Sequence, residues 1–92
     1  MGRAERKIMA INDQLAALRE ERRLVTEELV YHRHLDDDAR RDAAIGDAED
    51  RALAYETGND VRRFERVLAG LDTKTAKLET RRAKLLERLG DL

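Results

Sequence analysis

From Ile8 onward, apolar side chains recur at alternating steps of three and four: Ile8, Ile11, Leu15 and Leu18, then Val25 and Leu29. With Ile8 as heptad position a, these residues fill positions a and d, and Arg22 and His32 are polar members of the same series. A second series runs Val61, Phe64, Leu68, Leu71, Leu78, Leu85, Leu89 and Leu92, with Thr75 and Arg82 as its polar members. Fourteen of these 18 seam positions are aliphatic or Phe. A mean step of 3.5 residues holds one stripe against a partner helix, which is the coiled-coil condition. Charged residues make up 42% of the chain, a level also found in disordered segments. The sustained seam is what argues for helix instead.

Between Asp36 and Gly58 the apolar seam is interrupted, and Gly46 and Gly58 are both candidate turn or cap residues. This stretch also concentrates negative charge. Residues 36–50 carry −5, against +1 for residues 1–35 and +3 for residues 51–92. Antiparallel coiled coils set a beside d of the facing helix, so residue n can face residue 93−n. That pairing puts Ile8 near Leu85, Leu15 near Leu78, Val25 near Leu68 and Leu29 near Phe64, with the turn at Gly46. A one-heptad slip, n with 100−n, moves the turn to Asp50. The expected fold is all-α: a long antiparallel helical hairpin forming a coiled coil, with dimerisation as an option. Residues 1–92 form a single domain, with one arm at 3–38, an acidic tip at 39–50 and a second arm at 51–90. Each arm of about 35 residues extends about 50 Å at 1.5 Å per residue. The alternatives are a kinked helix pair in a dimeric bundle without a tip, and a third helix capped by Asn59 or Asp60.

Composition narrows the function classes. The 92 residues include no Cys, Pro, Trp or Ser, and aromatics make up 3%. Thiol and Ser nucleophiles, disulfides and Cys-type zinc sites are therefore excluded, and β-sandwiches and barrels are disfavoured. The net charge of −1 gives no global attraction to nucleic acid. Basic clusters such as Arg62, Arg63, Arg66 and Arg81, Arg82, Lys84 are interleaved with acids and read as solvated faces. No apolar run approaches 18 residues and the opening MGRAERKIMA has no signal-like apolar block, so the expected compartment is the cytoplasm, with no membrane partner. No cofactor and no intrinsic metal site are expected. His32 and His34, two apart on a helix, point to different sides and cannot share an ion. The polar seam residues Arg22, Thr75 and Arg82 read as register-fixing positions.

Two features remain as candidate sites. Leu24, Tyr31 and Leu35, preceded by Ala10 and Ala17, form a second partial stripe on positions c and g of the first arm. A two-helix seam is a thin core, so this stripe is a candidate docking surface, for a second copy or for another protein. Asp47 and Asp50 are three apart and share a helix face. Such a pair at a rod end can approach a divalent cation that another macromolecule already holds. Acids at a helix start also complement its macrodipole, which needs no ligand.

The stretch Asp47-Ala48-Glu49-Asp50-Arg51-Ala52 resembles the D-x-x-D-R-A tip of the DksA/TraR transcription factors. Read from Gly46, it is also similar to the G-D-x-x-E-x-A tip of the Gre transcript-cleavage factors, with Asp50 in place of Glu. Glu65 to Asp72, ERVLAGLD, resembles the segment that precedes the zinc finger in DksA/TraR-like proteins. The resemblance implies a hairpin that enters the secondary channel of bacterial RNA polymerase, with Asp47, Asp50 and Ala52 as tip residues near the catalytic Mg²⁺. The chain has no cysteine for that zinc finger, and the expectation is of a hairpin without the Gre C-terminal domain. In the first arm, Lys7 to Ile11 through Leu15, Leu18, Glu21 and Arg22 resembles the first helix of the small all-helical chorismate mutases. There, Arg22 and Arg33 would correspond to cationic substrate-holding positions. The readings, in order, are a non-enzymatic protein-binding module of the RNA polymerase channel type, a generic coiled-coil adaptor or assembly subunit, and the mutase-like enzyme.

Overall fold

The computed structural model describes residues 2–90. Two α-helices account for nearly all of it: α1, Arg3–Ile45, and α2, Ala48–Gly90, each 43 residues long. They fold back on each other as an antiparallel pair measuring 69 × 16 × 13 Å between Cα atoms. A helix of 43 residues spans about 65 Å at 1.5 Å per residue, so both run nearly straight along the rod. Among the described residues there is no strand, and no helix is long and apolar enough to cross a membrane.

The register follows 93−n closely. Ile11, Leu15 and Leu85 form a buried cluster with Ala4, Ile8 and Leu78 packed against it. Polar bridges between the helices carry the same alignment: Arg22 Nε donates to Asp72 Oδ1 at 2.7 Å, and Arg82 Nη1 donates to Asn12 Oδ1 at 2.8 Å. Nearer the turn, the His32 and Phe64 rings stack with centroids 4.6 Å apart. The slipped register with its apex at Asp50 is excluded, because the chain reverses at Gly46 and Asp47.

The middle of the chain bears on one expectation, the interruption of the seam, and on one alternative, the third helix. The acidic segment 39–50 is helical except at Gly46 and Asp47, with α1 continuing to Ile45 and α2 beginning at Ala48. No third helix starts near Asn59, since α2 runs through Gly58 without a positive φ. The seam is not interrupted either. It continues through Asp36, Ala39 and Ala43 on α1 and through Asp50, Ala54 and Thr57 on α2, at the same steps of three and four. Asp36 and Ala39 are buried, and the other four are half-buried. Small and polar side chains replace Leu and Ile here, so the helices stay paired with little hydrocarbon between them. Alanine, the best helix former, keeps both arms helical across a stretch with few apolar anchors.

Gly46 stands at the reversal for a steric reason. Its φ of −98° is open to any residue. A Cβ there would fall on the Asp50 carboxylate and within 2.6 Å of the Asp42 carbonyl oxygen. The chain therefore passes between the end of one helix and the start of the next only where the side chain is absent.

Candidate functional site

The two tip acids are built into the start of α2. Asp47 is its N-cap residue, and its Oδ1 accepts hydrogen bonds from the backbone N–H groups of Glu49 at 3.0 Å and Asp50 at 3.1 Å. Asp50 Oδ2 reaches back to accept the Asp47 N–H at 3.1 Å. This reciprocal arrangement is a capping box, with Asp in both roles. It satisfies donors that the first turn of a helix leaves without carbonyl partners. Asp47 is exposed at the reversal, whereas Asp50 is half-buried on the seam beneath Gly46. Each carboxylate uses one oxygen on the backbone. Ala52 is exposed one turn further along α2, and Ile45 is 93% exposed beside the turn. Arg51 Nη1 donates to the Gly46 carbonyl at 3.4 Å.

Sequence reasoning missed a second polar locus, about two and a half turns below the apex. Asp36 is 2% exposed. Its Oδ1 accepts the Thr57 hydroxyl across the interface at 2.8 Å, and its Oδ2 pairs with the Arg40 guanidinium at 2.6 Å. Gly58 is buried beside it, close enough that a Cβ there would stand 3.6 Å from Asp36 Oδ1. The signal was available: Asp36 lies seven residues after Leu29, at the next a position. Among the described residues, no three His, Asp or Glu side chains converge in a metal-holding arrangement.

The candidate docking residues lie on one flank of the rod. Leu24, Tyr31 and Leu35 are 49%, 58% and 39% exposed. A shallow open groove of about 450 Å³ runs along the same flank, lined by Gln14, Ala17, Leu18, Lys74, Lys77 and Leu78. Its lining brings c and g positions of both helices to one side, which places Val67 of α2, 43% exposed, on this flank as well. The opposite flank carries the e positions, where Arg22 meets Asp72.

Other candidate groups are occupied or turned apart. Arg22 is tied to Asp72, whose hydrogen bond and charge raise the guanidinium's proton affinity further. The groove beside Arg22 is lined by Leu15, Arg19, Asp72, Thr75 and Glu79, and Arg33 is not part of it. His32 lies inside against Phe64 and edge-on to Tyr31, 5.5 Å between centroids, whereas His34 is exposed. Compared with known proteins, the chain matches no family model, no curated protein and no solved structure.

Proposed function

We propose that this hairpin is a non-catalytic protein-docking module, a stiff coiled-coil rod that engages its partner through the c/g flank. The observation that carries this reading is the exposed run of Leu24, Tyr31 and Leu35 along one side of a helix pair whose buried seam is narrow. Large apolar side chains grouped on one flank mark contact surfaces, whereas isolated ones are ordinary. The grooves along the rod are open, and polar seam residues such as Arg22 and Arg82 are engaged in bridges between the helices. In this reading the module works in the cytoplasm without a cofactor. The test is binding by Leu24→Ala/Tyr31→Ala, with helix content and melting recorded in parallel. Retention of full partner binding by a well-folded double variant would refute it.

A second reading is favoured by the shape of the free end. A long, thin rod whose Cα atoms extend 69 × 16 × 13 Å, ending in Asp47, Asp50 and an exposed Ile45, has the shape of a probe for a channel. Together with the tip resemblance, it supports entry into the RNA polymerase secondary channel, as a transcription regulator. Asp47→Asn/Asp50→Asn is the informative variant, because Asn is as good an N-cap as Asp and removes only the charge. On this reading the variant still binds polymerase and loses its effect on transcription. An unchanged transcriptional effect would refute the tip's role.

A further inference from the structure

We infer that the c/g flank is a homodimer face on which two hairpins pack antiparallel, the apex of each beside the open end of the other. The inference rests on the docking reading and names the occupant of that flank. Its first support is charge. On c and g positions of the half nearest the open end lie Lys7, Lys74, Lys77, Arg81, Lys84 and Arg88, all exposed. On the same positions of the half nearest the apex lie Glu28, Asp38, Asp42, Glu49, Glu56 and Asp60. Among the described residues the exceptions, Glu21 and Arg63, sit nearer the middle. Among the described residues, none of the six bases has a carboxylate within ion-pair distance, whereas Arg22 on the opposite flank is already paired with Asp72.

The second support is shape. Leu24 is the middle residue of α1 and Ala69 that of α2, by the helix bounds. A two-fold axis across the rod at this level overlaps the two hairpins along their whole length. It sets α1 against α1 of the second copy and α2 against its α2. Tyr31 then meets Ala17 of the other copy, where the groove floored by Ala17, Leu18 and Leu78 is open to receive the ring. Asp42 comes level with Lys7, Glu56 with Arg81 and Lys84, and Asp60 with Lys77. A parallel arrangement would instead oppose acid to acid and base to base. The exposed area argues the same way. A compact chain of 10.6 kDa exposes about 5,500 Å², and this rod exposes 6979 Å². The excess, about 1,500 Å² per chain, is more than the roughly 800 Å² that each partner buries in a standard interface.

The absence of native cysteine makes orientation measurable. Ala17 and Tyr31 are 14 residues apart on one helix, about 21 Å at 1.5 Å per residue, too far for a disulfide within one chain. Under oxidation, Ala17→Cys/Tyr31→Cys is expected to form covalent dimers, and either single variant is not. Sedimentation equilibrium of the native chain should give twice the 10.6 kDa chain mass, reverting to the monomer in about 1 M salt, where charges are strongly screened. Arg81→Glu/Lys84→Glu and Glu56→Lys are each expected to lose the homodimer and to recover a dimer when mixed. A monomeric mass at every concentration, or equal cross-linking of a single variant, would overturn the inference. Should a monomer still bind a purified partner that Leu24→Ala/Tyr31→Ala cannot, the homodimer falls and the docking reading stands.

Discussion

Gly46 and Gly58 look alike in the sequence and are held for opposite reasons. At Gly58 a Cβ would meet only ordinary contacts, the nearest 3.5 Å away on Arg62. Glycine inside a helix is unfavourable relative to alanine, so Gly58→Ala is expected to stabilise the hairpin by about 0.5–1 kcal/mol in urea unfolding. At Gly46 the added methyl collides with the Asp50 carboxylate and dislodges the capping box. Gly46→Ala is therefore expected to destabilise by about 0.5–2 kcal/mol, the range of a lost cap. A separate local prediction concerns Glu20. The hydrogen bond from Arg23, helped by its charge, holds the Glu20 carboxyl below its ordinary pKa. Arg23→Gln should return Glu20 to the ordinary carboxylate range in an NMR titration. A group with a depressed pKa lends stability above its unfolded pKa and loses it as pH falls through the folded value. Both side chains are exposed, so Arg23→Gln should barely alter the pH dependence of melting.

At the scale of the helices, the heptad pattern was legible because Leu and Ile mark their own positions. The pairing of n with 93−n followed from it, and the bridges at Arg22 and Arg82 agree to within a residue. The stretch from Asp36 to Thr57 was not legible as seam, because a search for apolar residues passes over Asp36, Ala39, Ala43 and Ala54. What keeps that stretch helical is propensity and capping, and neither leaves a hydrophobic signature. The candidate apex residues divide the same way. The spacing of Asp47 and Asp50 announced a shared face, but only the backbone reveals that Asp47 stands outside the helix and that both acids cap α2. Asp47→Ala should accordingly cost about 1 kcal/mol of folding stability, and Asp47→Asn close to nothing. Equal loss in both variants would show that charge, rather than the hydrogen bonds to Glu49 and Asp50, holds the start of α2. On the flank, Leu24, Tyr31 and Leu35 were readable from heptad position alone. The partition of charge along that flank was not, because it joins residues from both helices and appears only once they lie side by side.

The molecule as a whole is all length and little interior. Its buried apolar residues, Ile11, Leu15, Leu29, Ala39, Val61, Leu71 and Leu85, are few and spread along the rod. Each contact pair is therefore supported mainly by its immediate neighbours, as in repeat architectures. Because one unbroken seam of fixed step joins two arms of equal length through a two-residue reversal, the fold is in effect a ruler graduated in heptads. Excising residues 19–25 together with 68–74 removes facing segments and leaves every surviving partner opposite its mate. The truncated hairpin should fold and measure about 10 Å less from end to end by small-angle scattering, one heptad at 1.5 Å per residue. Excising either segment alone keeps a opposite d but leaves seven residues of the longer arm without a partner and separates Arg82 from Asn12, so the melting temperature should fall below that of the matched deletion. The distance between whatever the two ends of this rod touch is thus written in the number of repeats, and matched gains or losses of seven residues would change it in discrete steps.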